Sequence, residues 1–288
     1  MNTTPELELT PAHADTLAAL RADLGDLAAI EADILGARTA RASLEPVLEA
    51  LREEALSVWN RYDHFVLRRV PAADDGATGL LIAALLFHAL RPYRAGRVVK
   101  SFQMTPWTSA LSHTLAEGCF HTDLNTAAQP PAATLMQCVH PDPDAPKHGQ
   151  LRVARFRDLL DALHRSDHRS ALRLLTEDEV VMVNDASTVH WSGRIHDGET
   201  VRFHPETLRA GQRRLGANTP DLEDTLRVIH EAALSVSCPI DLGPGDILFV
   251  SNRRALHQRG ACTVRFRSFP RDFESRSVAV MHAVDELG

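Results

Sequence analysis

Three residues constrain this chain more than any others: His121 and Asp123 in Gly118-Cys119-Phe120-His121-Thr122-Asp123, and His257, which follows Gly245-Asp246-Ile247-Leu248-Phe249-Val250. Two imidazoles and one carboxylate can hold a divalent iron on one triangular face, with the opposite positions open to a substrate and dioxygen. Side chains two apart share a face only in extended chain. The pair therefore asks for a strand at 121–123. His257 lies 134 residues beyond Asp123, so the set can meet only through tertiary folding.

The chain has 15 histidines, and the same spacing occurs elsewhere: His13-Ala14-Asp15, His140-Pro141-Asp142 and the near-match His204-Pro205-Glu206. His13 opens a helix-like stretch, where positions two apart diverge. Prolines place His140 and His204 in loops. His121 has the strand-like approach. Its distal partner is framed by Leu242-Gly243-Pro244-Gly245-Asp246, a tight-turn sequence, and by Ile247–Val250, a short buried strand. Asn252-Arg253-Arg254 then leads to His257.

This constellation resembles the Fe(II)/2-oxoglutarate-dependent dioxygenases, in the taurine dioxygenase and clavaminate synthase-like branch. Phe120-His121-Thr122-Asp123, Gln129-Pro130-Pro131 with the strand Ala132 to Val139, Gly245-Asp246 through His257, and the run on to about Val280 carry the likeness. It extends over residues 62–288, with the middle poorly matched. The resemblance implies a double-stranded β-helix (jelly-roll) core, with His121, Asp123 and His257 as metal and catalytic residues. It further implies Fe(II), 2-oxoglutarate and O2 as cofactor and cosubstrates. An arginine fourteen positions past the second histidine, Arg271, would grip the distal carboxylate of 2-oxoglutarate, because its planar fork matches a carboxylate and stays charged. Arg276, which opens the strand-like Ser277-Val278-Ala279-Val280, is the rival.

Three positions depart from the family pattern. In His148-Gly149-Gln150-Leu151 a leucine stands where a threonine often helps hold the cosubstrate. Ser275 occupies the place of a substrate-binding arginine, and Ser251 that of a common aspartate. Asp123 fills the site that halogenases of this superfamily leave small for chloride, so hydroxylation, desaturation or ring closure is expected. Asn125, Gln103 and Arg194 are candidate substrate contacts, each equally readable as a structural hydrogen bonder. The His190-Trp191 pair reads better as packing than as pocket. The expected substrate is a small polar molecule, an amino acid or a natural-product intermediate. Two other readings stay open: a metal-dependent jelly-roll enzyme that does not use 2-oxoglutarate, and a non-catalytic binding barrel.

At 288 residues the chain suits one large domain with an elaborated N-terminus, 1–60 packed on a 61–288 core. No apolar run reaches about 18 residues, and the N-terminus lacks a basic region and an apolar core, so neither a membrane span nor a secretory signal is expected. Four cysteines at 119, 138, 238 and 262 show no metal spacing and fit a reducing cytoplasm, with Cys119 and Cys262 as packing residues. Residues 1–60 hold eleven acids against four arginines, a difference equal to the whole net charge of −7. An acidic chain disfavours nucleic acid and anionic membrane. Seven arginines against Asp272 and Glu274 between Arg253 and Arg276 read mostly as a solvated face, with one or two turned inward.

An α+β class follows from the order of elements. Ser43 can cap a helix whose stripe is Leu44, Val47, Leu48, Leu51, Ala55, Val58 and Trp59. Residues 11–37 suggest one or two more helices. A strand at 64–70, a turn at Asp74-Asp75-Gly76 and an apolar helix from Thr78 to about Leu90 come next. Strands are expected at 98–104, 132–139, 178–184 and 247–250, a hairpin at Asp197-Gly198, and helices at 156–164 and 221–235. Many short strands with helical decoration suit a jelly roll whose mouth collects ligands from distant strands.

Overall fold

The protein is described by a computed structural model, which covers residues 3–36, 39–72, 75–94, 96–184, 189–216 and 220–287. The side chains of Ser43, Leu44 and Val47, and Asp74 of the expected turn, lie outside the described residues. A short strand, β1 (Glu6–Glu8), precedes helices α1 (Pro11–Leu24), α2 (Leu27–Gly36) and α3 (Thr39–Tyr62). Then come β2 (His64–Arg68), α4 (Ala77–Leu86), β3 (Lys100–Gln103), β4 (Ala133–His140) and β5 (Leu151–Arg155). A middle section holds α5 (Phe156–Arg165), α6 (Arg169–Thr176), β6 (Glu179–Val183), β7 (His190–Arg194), α7 (Pro205–Arg214) and α8 (Pro220–Val236). The chain closes with β8 (Cys238–Ile240), β9 (Ile247–Ser251), β10 (Ala255–Arg259), β11 (Val264–Ser268), β12 (Asp272–Ser275) and β13 (Ser277–Ala283).

Two sheets form the jelly roll. The larger has the order β1-β2-β9-β4-β13-β3, and the smaller β10-β5-β8. The order is non-sequential because β9 inserts between β2 and β4, antiparallel to both. β9 reads as an unbroken apolar run because it is buried along its whole length, as a central strand covered on both faces must be. On its neighbours the side chains alternate. Met136, Val278 and Val280 face inward and meet Leu151, Val153, Ala255 and Ile240 from the smaller sheet. Leu135, Ala279 and Met281 face outward onto the helices.

The first helices belong to that outer layer. Leu17, Ile30, Leu48, Leu51 and Trp59 share one buried cluster with Phe65 and Phe249 of the sheet. α4, Ala-Thr-Gly-Leu-Leu-Ile-Ala-Ala-Leu-Leu, is buried at every residue and has no polar face to show solvent. The expectation of helix alone before residue 60 needs one correction. β1 pairs in parallel with β2, with Leu7 opposite Leu67, so the N-terminus becomes an edge strand of the main sheet. Alternating Glu6, Leu7 and Glu8 carries that signal, but three residues are too few for periodicity to register. No described helix is long and apolar enough to cross a membrane.

Some of the arginine run also serves this layer. Arg254 pairs with Asp63 at 2.7 Å and lies over the Trp59 ring. Arg155 of β5 binds the other oxygen of Asp63 at 3.2 Å. A third cluster, including Phe156, Leu159, Met182, Leu208 and Ile229, packs α5 to α8 and the β6–β7 hairpin beside the smaller sheet.

The turn into β9 depends on Gly245. Its φ is 90°, and an added Cβ would sit 2.1 Å from the Val70 carbonyl oxygen. Both the left-handed backbone and the close approach require glycine. Gly245→Ala is expected to lower unfolding stability by about 2–4 kcal/mol, from backbone strain plus overpacking, in chemical denaturation monitored by circular dichroism. An unchanged midpoint would show that the turn relaxes.

Candidate metal centre

Backbone pairing brings the two halves of the site together. His121 N–H donates to the His257 carbonyl and His257 N–H to the His121 carbonyl, both at 3.0 Å. This is an isolated bridge rather than the strand expected at 121–123. One extended residue suffices to aim His121, and Asp123 lies in the turn that follows. Asn252, between β9 and β10, fixes that turn. Its Oδ1 accepts from Asp123 N–H at 2.7 Å, and its Nδ2 donates to the carbonyls of Asp123 and Pro131. Thr122 is held from the other side by Phe203, through Thr122 N–H to the Phe203 carbonyl and Phe203 N–H to Thr122 Oγ1.

His121 Nε2 lies 3.7 Å from Asp123 Oδ1, and His257 Nε2 lies 3.6 Å from Asp123 Oδ2. One donor atom from each of the three residues falls within 4.8 Å of the others, and among the described residues no other such group of histidine, cysteine and acid is found. Three donors about 2.1 Å from one ion on a shared octahedral face would stand about 3 Å apart, so a small contraction would seat a metal. His121 Nδ1 meets the Cys119 carbonyl at 2.9 Å, which puts its proton on Nδ1 and leaves the Nε2 lone pair for a metal. His257 Nδ1 is buried without a partner.

Two further residues act on the carboxylate. Thr134 Oγ1 donates to Asp123 Oδ2 at 2.8 Å, and His282 Nε2 lies 3.2 Å from the same oxygen. Thr134 of β4 and His282 of β13 face each other in register. Burial pushes the Asp123 carboxyl up, but the charge of His257 and the contacts of His121 and His282 outweigh it and hold it well below the usual range. Burial and repulsion from His121 bring His257 down to about 4. An ionised carboxylate beside a neutral imidazole is the state a divalent metal needs. His121 itself is raised, because contact with Asp123 overcomes its burial.

His204 stands against this set, its ring 5.0 Å from that of His121. Burial, with repulsion from His121, lowers it to about 3, so it is neutral. Its Nδ1 caps α7 by accepting from Glu206 N–H. The His204-Pro205-Glu206 match is thus a helix cap next to the site. His140 pairs with Ser277, away from the triad, and His13 is in α1.

The other expected residues scatter. Arg271 is exposed at the turn between β11 and β12. Arg276 is buried beside Cys138, Cys262 and Asp142, and packs against Gly149, where an added Cβ would come within 3.0 Å of its Cδ. Burial lowers its pKa. Among the described residues its guanidinium makes no hydrogen bond or ion pair. Asp142, the nearest acid, is taken up by Thr263 and by the backbone of Asp144. Fourteen positions after His257 falls on the tip of a hairpin, and five more are needed for the chain to re-enter the barrel.

Asn125 is buried and donates to Thr207 Oγ1 and Met182 Sδ, a tie between the metal loop and the helical layer. Gln103 and Arg194 are both exposed, on β3 and β7, and Trp191 of β7 stacks under Arg202. No disulfide joins any of the four cysteines. The sequence reading missed Thr134, His282 and the clamp made by Asn252. His282 was open to discovery, since it continues the inward alternation of Val278 and Val280.

Comparison with known proteins agrees with this geometry. The family model of the taurine catabolism dioxygenases (TauD, TfdA family) matches residues 26–269, and the chain belongs to that family. It is therefore a non-haem iron dioxygenase of the 2-oxoglutarate-dependent class. No curated protein matches the sequence. Among solved structures, an asparagine oxygenase in complex with Fe(II), 2S,3S-3-hydroxyasparagine and succinate is 18% identical, with a TM-score of 0.75, covering 96% of this chain and 93% of its own. The non-heme iron oxygenase OrfP, in complex with Fe, succinate and (3S)-hydroxy-L-Arg, is 20% identical with a TM-score of 0.64, covering 97% and 94%. OrfP with Fe and alpha-ketoglutaric acid gives 18% and 0.66, covering 98% and 95%.

Thr134→Val keeps shape and removes the hydroxyl from Asp123. Fe(II) affinity is expected to fall about tenfold to a hundredfold, in competitive titration against a chromogenic chelator, with the fold intact. Unchanged affinity would mean that His282 alone holds the carboxylate.

Proposed function

We propose that this protein oxidises an unactivated C–H bond of a small polar substrate, with an amino acid the favoured class. His121, Asp123 and His257 hold the iron, and Arg276, not Arg271, takes the distal carboxylate of 2-oxoglutarate. The observation that carries this reading is the unpartnered, buried guanidinium of Arg276. A charge in that state is costly unless a ligand completes it. Arg276 has the same parity as Val278, Val280 and His282, and its side chain lies beside Cys138 of β4. Thr134, which touches Asp123, is four residues back along β4, about 13 Å at strand rise. An arginine side chain and an extended five-carbon diacid together suit that span.

Iron and 2-oxoglutarate, when bound, supply the oxidising power, with dioxygen consumed and succinate and carbon dioxide released. The chain supplies position. Asn252 sets the backbone of Asp123, and Thr134 and His282 orient its carboxylate. Met136 and Val280 form the apolar rung between the metal end and Arg276 and keep water from the cosubstrate channel. The neutral His204 stands beside the ligands without competing as a charge. The solved neighbours contain hydroxylated asparagine and arginine, which favours an amino acid here too.

The test is anaerobic titration with Fe(II) and then 2-oxoglutarate, followed by visible absorption. A metal-to-ligand charge-transfer band is expected, absent in His121→Ala. Arg276→Ala should weaken 2-oxoglutarate binding by about tenfold to a hundredfold, from loss of a charge-assisted bidentate contact, while Arg271→Ala binds as wild type. The opposite ranking would return the role to Arg271. Iron binding without any band would point to a jelly-roll metalloenzyme that does not use 2-oxoglutarate.

A further inference from the structure

A cavity of about 580 Å³, within the usual range for small-molecule sites, opens beside the metal loop. Leu124, next to Asp123, forms part of its wall. Arg91, Arg94 and Lys100 also line it, with Tyr93 and Phe102. Lys100 pairs with Val280 across β3 and β13, and Phe102 pairs with Val278. Directly paired residues share a face. Lys100 therefore projects to the inner side of the sheet, on the same rung as Met136 and Val280.

None of the three cations has a carboxylate partner among the described residues. Lys100 Nζ rests 5.3 Å from the centre of the Tyr93 ring, and Arg91 donates to the Gln129 carbonyl. Arg97, close in sequence, differs: it pairs with Glu31 and lies outside this wall. Burial lowers the Lys100 ammonium, Asp123 pulls it upward, and Arg91 and Arg94 press it down. Lys100 is thus in electrostatic reach of both the metal ligand and the two arginines. A lysine on an edge strand ordinarily guards against strand addition. That role accounts for Lys100 alone and not for two arginines converging on the same cavity.

We infer that this cavity is the substrate pocket and that it selects a net-anionic small molecule, whose carboxylate or equivalent oxyanion lies between Lys100 and Arg94. The inference rests on the proposed iron and 2-oxoglutarate chemistry and specifies its substrate. Like charge turns away cations such as a free guanidinium compound, and repulsion of the wrong ligand is half of specificity. The α-carboxylate of a neutral amino acid would answer one of the three cations, and its ammonium would be repelled by the others. A second acidic group, or a blocked amine, satisfies the lining better. Leu124, the residue after Asp123, joins one wall of this cavity to the loop that carries the metal ligand.

Calorimetric titration of the anaerobic Fe(II)·2-oxoglutarate protein tests this. The probes are L-glutamate, L-aspartate, their amides L-glutamine and L-asparagine, N-acetyl-L-glutamate, taurine, O-phospho-L-serine and L-arginine. At least one dianionic or amine-blocked probe is expected to bind ten times or more tightly than either amide, with L-arginine weakest. That preference should shrink between 50 and 500 mM NaCl, values on the order of those over which screening of exposed charge becomes strong. Carboxylate, sulfonate and phosphate probes separate the sources of the oxyanion. Lys100→Met and the exposed Arg94→Gln should each erase most of the preference while leaving the 2-oxoglutarate band at its wild-type midpoint.

Equal or tighter binding of the amides or L-arginine overturns the inference, and so does failure of every anionic probe to bind. A weakened 2-oxoglutarate band in Lys100→Met would likewise overturn it, by giving the lysine to the cosubstrate. Each of these leaves the function standing if the band forms in the wild-type protein. Absence of that band is the separate failure of the function itself.

Discussion

The two-way backbone bridge between His121 and His257 is the contact on which the site depends. Each histidine donates its N–H to the other's carbonyl, so their side chains are set by one local geometry, although more than a hundred residues separate them. Closing so long a loop carries an entropic cost that two hydrogen bonds cannot offset. The offset comes from β9, the strand that delivers the chain to His257. It is buried throughout and paired on both edges, with β2 and β4. Asn252 then spends all its polar atoms on the loop bearing Asp123, and the pairing of β9 is transmitted to the carboxylate within a few residues.

Facing this clamp, the inner surface of β4 and β13 reads as a ladder. Thr134 and His282 form one rung, Met136 and Val280 the next, and Cys138 and Val278 the third, with Arg276 beyond. Polar groups occupy the two ends and apolar groups the middle. Such a distribution suits a ligand that is charged at both ends and carbon between. Lys100 extends the middle rung sideways onto β3, so the cosubstrate channel proposed above and the cavity beside Leu124 would share one wall. Cosubstrate and substrate would therefore meet at the metal from different directions along the same sheet.

Much of this was legible in the sequence, and the exceptions have physical reasons. The metal set was readable because imidazole and carboxylate at that spacing have few other uses beside a glycine turn and a buried strand. β9 and α4 were readable because unbroken apolar runs have to be buried. β1 was not, since three residues give no period. His282 and Thr134 were hidden because their significance is pairing across strands, and register is set by tertiary contacts, not by either strand alone. Counting fourteen positions past His257 points to Arg271, with Arg276 as its rival. Such a count takes no account of β11 and β12 folding back on each other, a hairpin that uses residues without advancing through the barrel. Asn125 is readable from sequence as a ligand contact or as a structural hydrogen bonder, and its amide ties the loop to Thr207 and Met182.

Alternation along β13 puts Arg276 on the inward side with Val278, Val280 and His282, and the register with β4 changes just beside it. From Ala283 to Val278 the two strands advance one for one, then shift: Val278 faces Cys138, but Ser277 faces His140. The skipped residue, Val139, makes a bulge, and bulges are common where a sheet must re-aim side chains near a site. Ser277 Oγ meets His140 Nδ1 at 2.8 Å at the bulge, which ties the strands where the regular ladder breaks. Arg276 comes immediately before it, and its own carbonyl accepts from Met104 N–H, so its backbone is held from the β3 side as well. Gly149 opposite leaves room for the guanidinium stem, since a side chain there would press on Arg276 Cδ. A shift of one residue at this point would replace the buried arginine with Ser275 or Ser277. The bulge, the glycine and the Ser277–His140 contact therefore surround the buried Arg276 and would fix the far end of the proposed channel.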